Sequence, residues 1–254
     1  MRAPGPWPWT WPGTGCAPGT RRALTRRPFD ASLLATEPSP VADVGLDQAG
    51  ELLISQIEQL GAGDPVIVVA HSAGGAVLTR AAQQATALVA HAVYLTAFMP
   101  ASGVPVSAYT RMPEHEGGLV RPLAVADPAA VGALRLDVAS PDPRYRQRLR
   151  EAFYGDVDRA VADAAIALLT PDAPAGISAG TTTLTAAGWG SVPRTYVICT
   201  QDMVIRPALQ QRFIADADAA FPANPTSVHT LHASHSPFLS MPAQVAGIVL
   251  KLHR

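Results

Sequence analysis

The sequence predicts an α/β fold, a mostly parallel sheet with flanking helices, and three observations predict it. Short apolar runs rich in β-branched residues alternate with helical stretches, as βαβ units require. The clearest run, Val66-Ile67-Val68-Val69-Ala70, is apolar throughout, the pattern of a strand buried on both faces of a parallel sheet. A chain of 254 residues, 48% of them apolar, is long enough to bury one sizeable core.

The front of the chain departs from this pattern. Residues 1–40 hold eight prolines, four glycines, three of the four tryptophans and five arginines against only Asp30 and Glu37. Such a segment resists regular structure, and only 29–35 reads as even weakly strand-like. The composition upstream of about Pro40 points to a loose arm, a divergent piece of the fold or a misplaced start, in each case with the N-terminal strands degraded or missing. The chain therefore divides into an irregular Pro/Arg/Trp-rich arm, 1–40, and a folded domain, 41–254.

Within the domain, Asp47 precedes a helical pattern with Leu53, Ile57 and Leu60 on one face, and Gly61 and Gly63 close it. Asp64-Pro65 turns the chain into the strand 66–70. A helix starts near Ala76 and passes Arg80. Further apolar strands fall at 92–98, ending at Pro100, at 195–200, running into Gln201-Asp202, and at 228–233, ending at Ser234-His235-Ser236-Pro237. Pro242 opens a last helix, 242–252, from its usual first-turn position. Between about 101 and 192 lies a helical lid insert, with helical patches at 128–136, 144–154 and 157–169 and no strong strand signal.

Charge excludes several function classes. Nineteen basic and 20 acidic side chains leave a net charge of -1, and only 15% of residues are charged, so nothing draws the chain to nucleic acid or an anionic membrane. Cys16 and Cys199 stand far apart, outside any disulfide-framework or zinc spacing, which makes a reducing cytoplasm the default. No stretch has the length and composition of a signal peptide or membrane span.

Chemistry concentrates at Ala70-His71-Ser72-Ala73-Gly74, a nucleophile elbow of the form G-x-S-x-G with alanine first. Small residues are needed because a strained strand-to-helix turn tolerates no bulk beside the nucleophile. The Ser72 hydroxyl then projects from the carboxyl end of the strand, where the Ala73 amide and the helix N-terminus face a developing oxyanion. As a bare pattern the motif is weak, and its strand-before, helix-after context is what raises it. The bland alternative is a glycine-rich turn with an inert serine.

Serine needs a base, and there are seven histidines. His71 sits in the elbow and should point away from its neighbour's reaction path. His91 begins a buried strand, His115 lies in the insert and His253 at the terminus, while His229 and His232 fall within the fourth strand. His235 alone lies just past a strand's carboxyl end, which makes it the expected base. The spacing of His229, His232 and His235 invites a metal reading, but steps of three on a two-residue period put successive rings on opposite faces. An acid should close another strand between Ser72 and His235, and Asp202 does so. Glu114 and Glu116 belong to the insert, and taken alone Asp202 would read as a turn or helix-cap aspartate.

The chain resembles the α/β-hydrolase fold, and within it the small esterases similar to plant methylesterases, salicylate-binding esterases and hydroxynitrile lyases. Residues 66–75 look like that group's elbow, 93–100 like its next strand, 189–197 like its exit from the lid, and Cys199-Thr200-Gln201-Asp202 and 234–242 like its acid and histidine loops. The resemblance, which covers roughly 41 to the C-terminus, implies Ser72 as nucleophile, His235 as base and Asp202 as its partner. Two departures stand out. The lyases carry a lysine directly after the catalytic histidine where this chain has Ser236, which favours hydrolysis over cyanohydrin cleavage. The family's opening strand and the loop supplying a second oxyanion amide are represented only by a faint echo at Gly5-Pro6-Trp7-Pro8-Trp9, and losing one such donor typically costs about 10² to 10³ in kcat.

The expectation is a serine hydrolase cleaving a small carboxylic ester through an acyl-enzyme on Ser72, its activity reduced by the atypical N-terminus. Metal and organic cofactors play no part, and the one partner is the small-molecule ester. Phe98, Met99, Phe153, Tyr154 and Trp189 are the expected pocket walls, although each residue type is more often plain core. The alternatives are a binding homologue without turnover and a hydroxynitrile lyase.

Overall fold

A computed structural model describes residues 31–253. Helices α1 (Ala31–Thr36) and α2 (Leu46–Gly61) lead into strand β1 (Val66–Ser72) and helix α3 (Gly74–Gln84). Strand β2 (Val89–Ala97) opens the insert, which carries α4 (Val106–Tyr109), α5 (Pro128–Val131), β3 (Ala133–Arg135), α6 (Pro143–Phe153), α7 (Arg159–Ala167), β4 (Asp172–Pro174) and α8 (Ala175–Ala179). The chain then forms β5 (Arg194–Cys199), α9 (Pro207–Ala220), β6 (Ser227–Leu231), α10 (Pro237–Ser240) and α11 (Pro242–Leu250). Among the described residues no helix is long and apolar enough to cross a membrane.

Four strands make one parallel sheet in the order β1-β2-β5-β6, so the four apolar runs found in the sequence are its members. Alternation along β2 divides its side chains between two cores. Ala92 and Tyr94 join Tyr196, Val77 and Leu78 of α3, and Leu209 and Phe213 of α9 on one face. Val93 and Leu95 join Val197 and Ile248 of α11 on the other. Because the strands are parallel, the carboxyl ends of β1, β5 and β6 open onto one rim, where ligands of open α/β sheets bind.

Several details differ from the sequence reading. The left-handed residue after α2 is Ala62, with φ 49°, followed by Gly63, so Gly61 ends the helix in helical conformation. β6 stops at Leu231, which puts His232 beyond it, bonded through its ring to Thr200 and Gln201. The segment expected as a weak strand over 29–35 is helical from Ala31, with Leu34 buried beneath it; its first two residues, and the whole of 1–28, lie outside the described residues.

The insert also holds the antiparallel pair β3 and β4, too short for strand periodicity to register in sequence. Its anchor is a buried ion pair between residues directly opposite in register: Arg135 Nε donates to Asp172 Oδ1 at 2.8 Å and Nη2 to Oδ2 at 3.0 Å. The same guanidinium donates from Nη1 to the carbonyls of Leu34 and Glu37 at 2.8 and 2.7 Å, and the Ser39 hydroxyl donates to Asp172 at 2.5 Å. Residues 34–39, placed in the irregular arm by composition, are thereby tied to the base of the lid.

Candidate active site

The turn after β1 is built around a strained residue. Ser72 has φ 54°, a left-handed conformation that a non-glycine residue adopts only when its surroundings over-determine it. Small neighbours make the turn fit. A Cβ on Gly75 would lie 2.1 Å from the Phe98 carbonyl oxygen and 2.9 Å from Ala97 Cβ, so the start of α3 can press against the end of β2 only with glycine there. The Phe98 amide donates to the Ser72 carbonyl at 3.0 Å, locking the elbow to that strand. Ala73 occupies the N-cap position of α3.

Asp202 follows β5 and is completely buried, with its carboxylate held at both oxygens. Oδ1 accepts the amides of Val204 and Ile205 at 2.6 and 3.0 Å. Oδ2 accepts the ring of His235 and the hydroxyl of Thr96. Gln210 braces the turn from α9, its Oε1 accepting the Cys199 amide at 3.0 Å and its Nε2 donating to the Ile205 carbonyl at 2.7 Å. Burial alone would push the Asp202 carboxyl up, but the His235 ring beside it, with the hydrogen bonds from His235, Thr96 and Ile205, brings it below the usual carboxylate range.

His235 sits just past β6 and is 1% exposed. Its Nδ1 lies 2.8 Å from Asp202 Oδ2, and because an ionised carboxylate only accepts, Nδ1 carries the proton. Nε2 is then the basic nitrogen, and it is buried without a hydrogen-bond partner. No hydrogen bond joins it to the Ser72 hydroxyl among the described residues. Hydrogen bonds of this kind are often long until a substrate completes the site.

His71 fixes the same loop from the other side. Rather than pointing away, its Nε2 lies 2.7 Å from the His235 carbonyl oxygen, and the two rings are 4.4 Å apart. Phe238 closes edge-on over it at 5.1 Å. Desolvation beneath these rings, then the neighbouring His235, drives the His71 pKa down to about 3, so the ring is neutral and Nε2 donates. The lid reaches the site at three points: the Phe153 ring stands edge-on to His235 at 5.9 Å, Ser234 donates to the Asp156 carboxylate, and the Leu119 amide donates to the Met203 carbonyl at 2.8 Å.

The other expected wall residues are placed differently. Phe98 packs against Phe213, and Met99 and Tyr154 are buried in the main core. Trp189 is 1% exposed, donates from Nε1 to the Tyr94 hydroxyl at 2.7 Å and lies under the Arg194 guanidinium at 4.3 Å. Thr96, the Asp156 contact and the His71 bond carried no sequence signal. The Gly5 to Trp9 stretch, expected to echo a second oxyanion loop, lies outside the described residues. Among the described residues no group of three or more histidine, cysteine, aspartate or glutamate side chains could hold a metal.

Comparison with known proteins adds kinship to this geometry. The family model described as the alpha/beta hydrolase family matches residues 2–248. Methylesterase 9 of Arabidopsis thaliana is 26% identical over 230 residues, covering 88% of this chain and 85% of its own. A pyrethroid hydrolase of Sphingobium wenxiniae is 30% identical over 184 residues, covering 72% of this chain and 61% of its own. Among solved structures, a pyrethroid hydrolase from Sphingobium faniae superposes with a TM-score of 0.66 at 24% identity, over 82% of this chain and 77% of that one.

Proposed function

The chain belongs to the alpha/beta hydrolase family, and from that premise we propose that it hydrolyses small carboxylic esters through an acyl-enzyme on Ser72. Ser72 Oγ attacks the ester carbonyl as its proton passes to His235 Nε2, and the resulting oxyanion is held by the Ala73 amide at the start of α3. The intermediate collapses, the carbon–oxygen bond to the alcohol breaks, and the alcohol leaves with the proton from His235. Water then attacks the acyl group, giving its proton to His235. A second collapse releases the carboxylic acid and returns the proton to Ser72 Oγ. Asp202 keeps the ring in the productive tautomer and stabilises the imidazolium.

The observation that carries this reading is the His235 ring, bound by a buried carboxylate at Nδ1, bare at Nε2 and 4.4 Å from the ring of His71, the chain neighbour of a serine with left-handed backbone. The relatives' names, a methylesterase and a pyrethroid hydrolase, lend support to an ester substrate. The chemistry calls for no metal or organic cofactor. Phe153 is the wall residue that best fits an apolar acyl or alcohol group, because its ring borders the base. A cytoplasmic setting accords with Cys199 standing as a buried free thiol.

One observation favours the binding-protein alternative, the unclosed hydrogen bond between Ser72 and His235. A fluorophosphonate probe decides between them. Its phosphorus is attacked by an activated serine with loss of fluoride, so the wild type should label and Ser72→Ala should not. A folded wild type that stays unlabelled, with no p-nitrophenyl acetate turnover, overturns the hydrolase reading.

A further inference from the structure

Thr96 lies one residue before the end of β2, and three independent features single it out. In the β1–β2 pairing His71 faces Leu95 and Ser72 faces Ala97, so Thr96 is an extra residue, a bulge in the ladder opposite the elbow. Its φ is 39°, an outlier for a β-branched side chain, at a position with no exposed surface. The proton of its hydroxyl goes to Asp202 Oδ2, the oxygen that also faces the His235 ring. Bulges beside active sites re-aim side chains, and strain kept in a packed core marks a conformation that something else requires.

We infer that Thr96 is a positioning residue, whose bulged backbone aims a hydroxyl at Asp202 so that the carboxylate is fixed independently of the ring it must orient. The reason lies in how Asp202 is held. Oδ1 is pinned by two amides of its own turn, Val204 and Ile205. Among the described residues, Oδ2 has only the His235 ring, the Thr96 hydroxyl, and Gln210 Nε2 at 3.5 Å, long for a hydrogen bond. Without Thr96, the oxygen that orients His235 would be anchored mainly by His235 itself. A structural bulge would not need a hydroxyl at this place; a brace for the acid does. This inference rests on the hydrolase reading above.

The test compares Thr96→Val, which keeps size and β-branching but loses the donor, with Thr96→Ser, which keeps the donor. Thr96→Gly, which loses the hydroxyl while relieving the positive φ, carries the test should the valine variant fail to fold. With p-nitrophenyl acetate, the valine and glycine variants should lose roughly 10-fold or more in kcat with little change in KM, the scale of a hydrogen bond to a charged group. Serine should stay within about 3-fold of wild type on the same scale. The acid limb of kcat/KM should move up by about half a pH unit or more in the valine and glycine variants, because an Oδ2 stripped of one donor holds the imidazolium proton more tightly. The other ionisable groups facing Asp202, namely His71, His115, Tyr196, Cys199 and Arg206, are the same in every variant.

A slow variant whose acid limb stays in place or moves down overturns the inference, since a packing defect would do the same. A valine or glycine variant with wild-type kcat also overturns it. Fluorophosphonate labelling of the wild type keeps the two levels apart. If the wild type does not label, the hydrolase reading falls and the inference with it. If the wild type labels and Thr96→Val labels at the same rate, the inference falls alone.

Discussion

The proposed acid–base half of the candidate site and its proposed nucleophile half are built on opposite terms. Asp202 and His235 are buried, and every polar side-chain atom of the pair except His235 Nε2 is hydrogen-bonded, by amides, a hydroxyl and each other. Ser72 sits in strained backbone, half-buried, with a hydroxyl bonded to nothing among the described residues. The difference teaches where the protein places its preorganisation. The proposed base is assembled in advance, in one tautomer and one orientation, because turning a ring during the reaction would add to the barrier. The proposed nucleophile is left free on its hydroxyl, and only its backbone is fixed.

The largest expected effect comes from breaking the assembled half. In Asp202→Asn, Oδ1 can still accept the amides of Val204 and Ile205, which leaves the side-chain NH₂ facing His235 Nδ1. The ring must then accept at Nδ1 and carry its proton on Nε2, the tautomer that cannot act as base. A loss on the order of 10⁴-fold in kcat is expected, as when the tautomer is wrong in the Ser-His-Asp template. Turnover of p-nitrophenyl acetate with folding checked by circular dichroism measures it. A loss below about 10-fold would mean that the acid contributes no more than an ordinary hydrogen bond.

Breaking the other half should cost stability before it costs chemistry. Gly75→Ala would put a methyl 2.1 Å from the Phe98 carbonyl oxygen, a backbone atom that cannot swing aside. Either α3 moves away from β2 or the elbow relaxes. Overpacking of this kind costs about 1–3 kcal/mol, and here the upper end or more is expected. Urea unfolding should show the midpoint falling with the slope unchanged. A midpoint equal to that of wild type would show that the elbow needs no close approach at this position.

The sequence singled out residues of both halves, but not the contacts that hold them in place. Ser72, Asp202 and His235 were singled out in the sequence because Ser72 ends a strand and the other two lie just past one, and because the elbow advertises itself through small residues around a serine. Strand β5 is buried along its whole length, whereas β1 and β6 are only partly covered, and their ends are marked by the loop residues beyond them. What stayed hidden depends on contacts between residues distant in sequence. The Thr96 bulge exists only in its register with β1, and β3 with β4 is recognisable only once Arg135 meets Asp172 across the ladder. Wall residues are hard to read for a related reason. Aromatic side chains such as Trp189 look alike in sequence whether they line a pocket or, as here, fill a core beneath an arginine.

The smallest expected effect sharpens the boundary between the halves, where His71 belongs to the elbow by sequence and to the base by its hydrogen bond. Its pKa falls from 6.5 to about 3 on folding, so between these values the unfolded chain binds a proton that the folded chain does not. The stability that His71 leaves intact is therefore fully present above about pH 6.5 and is lost as pH falls toward 3, with a slope of up to one proton. His71→Gln places an amide where it can still donate to the His235 carbonyl but cannot take up a proton. Urea midpoints at pH 5, 6 and 7 should fall less steeply toward acid in this variant than in wild type, while kcat at pH 8 changes by only a few-fold, on the order of one neutral hydrogen bond. Identical slopes for the two proteins would mean that His71 takes up its proton in the folded protein as readily as in the unfolded chain, and that the ring pair beneath the base is not the desolvated contact its geometry indicates.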